Sequence, residues 1–176
     1  MNKRFRRVAV LKGGVSRERE VSLRSGAAVA GGLRAAGYDV AEIDVRDREL
    51  HLPAGIEAVF VVLHGDYGED GTVQRQLEER GIPFTGSGSR SSARTFDKLV
   101  SKQLFVRERI PTPDYEVLGP GGRRSMPLPV VVKPVRQGSS LGVHRVFDEA
   151  EWHPAFEESL GYEGQVIVET FIPGRE

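Results

Sequence analysis

The sequence predicts an α/β protein, with an open parallel sheet in its first half and a smaller α+β unit in its second. Three observations carry this. Short, wholly apolar runs alternate with helical stripes over the first 95 residues, the pattern of a parallel sheet with right-handed crossovers. Glycines gather where those runs end, at Gly13-Gly14, Gly65 to Gly71 and Gly86-Gly88, as ordered turns do. Beyond Ile110-Pro111-Thr112-Pro113, short strands are joined by glycine-containing turns, as in an antiparallel unit. The boundary falls near Thr95, dividing the chain into 1–95 and 96–176.

Val8 to Leu11 reads as a strand buried on both faces. A helix follows, with Val21, Ala28, Val29 and Leu33 as its apolar stripe and Gly37 to close it. Val40 to Val45 and Ala58 to Leu63 are the next strands. Asp70 can cap a short helix carrying Val73 and Leu77 and ended by Gly81, and Ile82 to Thr85 reads as a fourth strand. Ser91 or Ser92 opens one long helix with Phe96, Leu99, Val100 and Leu104 on its apolar side. Tyr115 to Leu118 is a strand. Val130 to Lys133 and Gly142 to Phe147 flank a glycine- and serine-containing turn. Asp148 caps a helix to Leu160, and Gln165 to Glu169 is the last strand. The chain stops at Pro173-Gly174-Arg175-Glu176 directly after that strand, which leads us to expect a truncation or a third domain that is absent.

Composition excludes several classes. There are 25 Lys+Arg against 25 Asp+Glu, so no basic excess points to nucleic acid or an acidic membrane surface. Without cysteine there is no disulfide framework, thiol nucleophile or cysteine metal site. The longest apolar run is far short of the ~20 residues of a membrane span. The basic start is followed by too few apolar residues for a signal peptide, so a cytosolic protein is expected.

Three segments can carry chemistry. Gly13-Gly14-Val15-Ser16-Arg17-Glu18 runs from a strand into a helix start, where backbone can approach a ligand and the helix N-terminus favours an anion. The same residues suit a tight turn with Ser16 as N-cap and Glu18 and Glu20 as first-turn acids. It is not a G-x-G-x-x-G fingerprint, so a dinucleotide is not supported. His64-Gly65-Asp66-Tyr67-Gly68-Glu69-Asp70-Gly71 also follows a buried strand. Here His64 is a hydrogen-bond donor or a structural residue, and Glu69 and Asp70 read as caps rather than metal ligands. Both turns follow parallel strands, where crevices form. The third segment is Lys133-Pro134 followed by Gly138-Ser139-Ser140-Leu141-Gly142. A lysine ending an apolar strand is costly unless it meets an anion, and the turn offers N–H groups and hydroxyls to phosphate. A surface hairpin is the alternative, but the joint occurrence of lysine and turn favours phosphate. Lys98 and Lys102, taken alone, read as solvated helix lysines.

Together these segments resemble the D-alanine–D-alanine ligases of the ATP-grasp superfamily. Gly13-Gly14-x-Ser16-x-Glu18-x-x-Val21-Ser22, His64-Gly65-x-x-Gly68-Glu69-Asp70-Gly71 and Val132-Lys133-Pro134 with Gly138-Ser139-Ser140-x-Gly142 look like family signatures in order. Thr85-Gly86-Ser87-Gly88 and Asp97-Lys98-x-x-x-Lys102 fit the same register. The resemblance implies a pre-ATP-grasp, Rossmann-like N-terminal domain and a central ATP-grasp lid, with the C-terminal ATP-grasp domain apparently absent. It implies that Glu18 holds the ammonium of a first D-alanine, and that His64 and Ser139 belong to the substrate and transition-state neighbourhood. It places Lys98, Lys133, Gly138 and Ser140 at ATP phosphates, Glu169 and Ile172 at adenine, and Glu176 at the ribose. Thr170 stands where the family more often carries a charge, and Gly119 to Pro129 is short where many members have an extra helix. The implied cofactors are ATP and Mg²⁺, with metal ligands outside these residues. The implied partner is D-alanine, with a homodimer for the full-length enzyme and no nucleic acid or membrane. The implied reaction is ATP-dependent formation of D-alanyl-D-alanine for peptidoglycan, with the 176-residue chain inactive alone. Two alternatives stay open: a non-catalytic nucleotide-binding fragment, and a ligase using D-lactate or D-serine as second substrate.

Overall fold

The computed structural model describes residues 4–175. It divides into two compact units, residues 1–94 and 95–176, and each is described by itself.

In the first unit β1 (Arg7–Gly13) lies between β2 (Asp39–Val45) and β3 (Ala58–Val61), all parallel. The central position explains the unbroken apolar run, because Val8, Ala9, Val10 and Leu11 are all buried. Ala9 and Leu11 join Val59, Leu63, Tyr67, Val73 and Leu77 in one core, and Val10 joins Ala30 and Val62 in another. Helix α1 (Arg19–Ala35) ends as expected at Gly37, whose φ of 80° lets its N–H reach Arg34 O while Tyr38 N–H reaches Leu33 O.

The stripe that α1 buries is not the apolar one. Val21 is 45% exposed, and the buried positions are Ser22, Gly26 and Ala30, with Val29 and Leu33 partly covered. Close packing selects this face: a Cβ on Gly26 would overlap Lys12 Cβ on β1, so small residues decide which side meets the sheet.

Helix α2 (Thr72–Glu79) starts from Gly71, at φ 88°, rather than from Asp70. The Asp70 carboxylate instead accepts from Thr72 N at 2.8 Å and Tyr67 N at 2.9 Å, and so serves the turn on both sides. The expected fourth strand reduces to one parallel bridge between Val59 and Phe84. Pro83 has no N–H to donate, and only its carbonyl, accepting from Val59 N, and Thr85 N, donating to Val59 O, continue the ladder.

The expected long helix is two. Helix α3 (Ser89–Phe96) stops, and Asp97, extended at φ −86° and ψ 105°, caps α4 (Lys98–Arg107) by accepting from Val100 N at 3.0 Å. The second unit carries β4 (Tyr115–Leu118), β5 (Val130–Pro134), β6 (His144–Val146) and β7 (Val166–Thr170), ordered β4-β7-β5-β6 and antiparallel throughout. Helix α5 (Glu149–Glu163) is capped by Asp148 and ends at Gly164, φ 70°. One sheet face buries Val130, Val132, Val146, Val166 and Val168 with Ala155 and Phe156 of α5. Strand alternation therefore sends Lys133 and Glu169 to the other face. No helix of the described residues is long and apolar enough to cross a membrane.

Candidate functional site

In the first unit two turns meet at the carboxyl ends of β1 and β3. Ser16 does not cap α1; Glu18 occupies that position, and Ser16 Oγ accepts from Glu18 N at 3.2 Å. The two turns are close: a Cβ on Gly65 would stand 3.1 Å from Ser16 Cβ and 3.3 Å from Glu18 Oε2. Gly65 must also hold φ 63°, so a side chain there would be both strained and crowded against Glu18. Buried Ser22 ties the turns to the sheet. Its hydroxyl accepts from Gly13 N at 2.9 Å and donates to Val62 O at 2.5 Å.

The 64–71 segment is wound on itself. Gly65 N donates to Glu69 Oε2 at 2.7 Å, Glu69 N donates to Gly65 O at 2.8 Å, and Gln74 Nε2 donates to Gly68 O at 2.7 Å. Tyr67 sits fully buried at its centre with φ 70°, and burial pushes its phenol up to about 12. The half-exposed His64 ring lies with Nδ1 3.7 Å from Glu69 Oε1. Glu69 and Asp70 thus act on the backbone of this turn. Gly65, next to His64, brings the two turns together, so a carboxylate that can meet an ammonium and an imidazole that can hydrogen-bond stand at the same end of the sheet.

In the second unit the charged sheet face meets α4. Glu169 is 7% exposed, and its two oxygens take two ammonium groups: Lys102 at 2.7 Å on Oε1, and Lys133 on Oε2. The anion facing Lys133 is therefore a carboxylate across the β5–β7 pair, which sequence separation concealed. Burial works to raise the Glu169 pKa, but hydrogen bonds from Lys102 and Lys133 outweigh it and hold the carboxyl below its ordinary range. Lys98 joins from the first turn of α4, its ammonium donating to Gln137 O at 2.5 Å and Val135 O at 3.4 Å. Burial and the Lys133 charge both depress its pKa. Lys98, Lys102 and Lys133 thus gather around buried Glu169, with Asp97 and Glu163 also acting on Lys98 and with Arg136 engaging both of those acids, so ammonium groups line this face where an anionic ligand could meet them.

The strand leads into the 138–142 turn. Its root is clasped from both helices: Arg136 Nε donates to Asp97 Oδ2 at 2.8 Å, Arg136 N to Glu163 Oε2 at 2.9 Å, and Gln137 Nε2 to Glu163 Oε1 at 2.8 Å. The turn itself is exposed at Ser139 and Ser140, which hold left-handed φ values of 49° and 60°. Consecutive non-glycine residues in that region store strain, a feature of ligand-clamping loops. Gly142 is held at φ 65° against Tyr162, and Gly138 O accepts from Leu141 N. Ile172 is 62% exposed, and Glu176 lies outside the described residues.

Sequence reasoning missed Lys102, which is buried rather than solvated, and the supporting roles of Asp97, Arg136 and Glu163. The usable signal was the i, i+4 spacing of Lys98 and Lys102. Two like charges on one helix face call for an acid opposite them. Among the described residues no group of three or more His, Asp or Glu could hold a metal ion.

A family model described as D-ala D-ala ligase N-terminus matches residues 45–87, and one described as D-ala D-ala ligase C-terminus matches residues 108–176. A D-alanine–D-alanine ligase of Methylacidiphilum infernorum is 46% identical over 171 residues, 97% of this chain and 56% of that protein. The crystal structure of the Bacillus anthracis D-alanine–D-alanine ligase superposes with a TM-score of 0.85 at 34% identity, covering 96% of this chain and 58% of that one. The same enzyme complexed with ATP superposes at 0.82 with 32% identity, covering 96% and 60%. The chain thus spans less than two thirds of the length of these relatives. Sequence, motif order and fold agree: the chain belongs to the D-alanine–D-alanine ligase family, within which it corresponds to the N-terminal and central domains.

Proposed function

We propose that these residues supply the first-substrate and nucleotide-phosphate portions of an ATP-dependent ligase that joins two D-alanines for peptidoglycan synthesis in the cytoplasm. The observation that carries the reading is the pair of ammonium groups, Lys98 and Lys133, that the second unit sets at the root of a strained serine–glycine turn. That donor set fits a polyphosphate, and the homologous Bacillus anthracis structure is described as complexed with ATP.

In this reading the carboxylate oxygen of one D-alanine attacks the γ-phosphorus of ATP and ADP leaves. The amine of a second D-alanine then attacks the acyl phosphate carbon, and phosphate and a proton depart. Glu18 holds the first substrate's ammonium, and His64 and Ser139 serve the substrate and its transition state, as the family resemblance implies. Lys98 and Lys133, with Gly138 and Ser140, meet phosphate oxygens and offset charge as it moves toward ADP. Glu169 and Ile172 meet adenine. Glu176 meets the ribose. Magnesium bound with ATP would neutralise phosphate charge, through ligands outside this chain, and the active enzyme is a homodimer.

The test is a thermal-shift titration of the 176-residue chain with Mg-ATP, wild type against Lys133→Ala. We expect the variant to keep its melting temperature without nucleotide within a few degrees and to lose most of the ATP-induced shift. An undiminished shift in the variant would remove Lys133 from the phosphate site.

A further inference from the structure

Lys102 is the one lysine or arginine among the described residues that is buried, at 5% exposure. Its ammonium is saturated within the protein: Glu169 Oε1 at 2.7 Å, Thr112 Oγ1 at 2.5 Å and Pro113 O at 2.9 Å take its three N–H groups, and the Tyr115 ring centroid lies 5.4 Å away. It has no donor left for a ligand. Lys133, by contrast, is 22% exposed and meets the second Glu169 oxygen. The two lysines hold the same carboxylate in different ways, one locked and one open to solvent.

We propose that Lys102 is a positioning residue for the phosphate site. By holding one oxygen of Glu169, it leaves Lys133 with only half a counter-charge, so the Lys133 ammonium is oriented yet free to pass to an anionic ligand. This rests on the phosphate reading of Lys133 given above. The charge arithmetic carries it. With both lysines present the Lys102–Glu169–Lys133 group has a net charge of one positive unit. Without Lys102, Lys133 and the buried Glu169 form a neutral, tightly held pair, and the anion loses one of its two attractors, keeping only Lys98. Lys102 thus acts on a ligand that it does not touch. Thr112 and Pro113, in the segment between α4 and β4, complete the lock and keep Lys102 from competing for that ligand.

The experiment measures binding of magnesium tripolyphosphate to the 176-residue chain by calorimetry, a probe with phosphate and no adenine. Lys102→Gln keeps a polar side chain and removes the charge. It should weaken tripolyphosphate binding by about 10-fold, while the double variant Lys102→Gln/Glu169→Gln, in which Lys133 has no carboxylate to pair with, should return to within about threefold of wild type. That recovery is the signature that a purely structural lysine would not give. If Lys102→Gln lowers the melting temperature but leaves tripolyphosphate affinity unchanged, or if the double variant binds as weakly as the single one, Lys102 only supports the fold and the inference is overturned. Should Lys102→Gln fail to fold, the double variant, which buries no unpaired charge, decides: binding below one-tenth of wild type overturns the inference, and binding near wild type supports it. A wild-type chain that binds neither ATP nor tripolyphosphate overturns the phosphate reading itself, and this inference with it.

Discussion

Ser22 offers a direct measure of how the first unit is assembled. Its side chain is fully buried, and its hydroxyl joins Gly13 N at the end of β1 to Val62 O just beyond β3. Ser22→Ala removes both bonds and leaves a buried N–H and a buried carbonyl without the partner that joined them. A buried backbone group left without a partner costs ~1–3 kcal/mol, so two groups give about 2–4 kcal/mol once partial relaxation is allowed. The neighbouring Val21, the residue that hydropathy alone would bury, is 45% exposed, and Val21→Ala should change stability by less than about 0.5 kcal/mol. Amide hydrogen exchange followed by mass spectrometry on peptides covering β1 reads this locally. Ser22→Ala should speed exchange of the Val8 to Leu11 amides by roughly 30- to 700-fold and Val21→Ala by less than about threefold. Equal effects from the two variants, or an effect of Ser22→Ala below threefold, would refute the assignment of the buried face of α1.

Further outcomes follow from the same geometry. The Glu169 pKa is lowered in the folded chain, so the stability it contributes is present above its ordinary value near 4.5 and is lost as pH falls below it; melting followed by Trp152 fluorescence should show a shallower acid limb in Glu169→Gln than in wild type between about pH 4.5 and 2. Asp97→Ala, which loses both the α4 cap and the Arg136 contact, should cost about 1–2 kcal/mol in urea unfolding; Asp97→Asn, which keeps a capping oxygen, should cost less than half as much, since Arg136 is largely exposed. In a chimera completed with the remaining portion of the Methylacidiphilum infernorum ligase, Glu18→Gln should lower kcat/KM for D-alanine about 10- to 150-fold with KM for ATP unchanged, and a raised ATP KM with intact D-alanine kinetics would place Glu18 elsewhere.

The elements that the residue pattern specified are those whose signals are local. A central parallel strand with both faces covered must be apolar throughout, so Val8 to Leu11 was legible as β1. Gly37 and Gly81 marked helix ends because a left-handed backbone is needed there, and Asp148 marked a start because its carboxylate can reach the free N–H groups of α5. The same holds for the motifs: Gly13 to Glu18, His64 to Gly71 and Lys133 to Gly142 are contiguous, so each could be marked as a site by its residues, while the roles of Glu18, His64 and Ser139 came from the family resemblance. What only the tertiary structure decided is everything that depends on contact between distant residues. The buried face of α1 runs through Ser22 and Gly26 because closeness to Lys12, not hydropathy, selects it. The helix expected from Ser91 onward breaks at Asp97 because that carboxylate is used twice, once on Val100 N and once on Arg136. The anion that satisfies Lys133 lies 36 positions away on β7, and Lys102, bland in the sequence, is locked against the same carboxylate. Charge pairing acts through space, and the register that brings β5 beside β7 exists only once the sheet has formed.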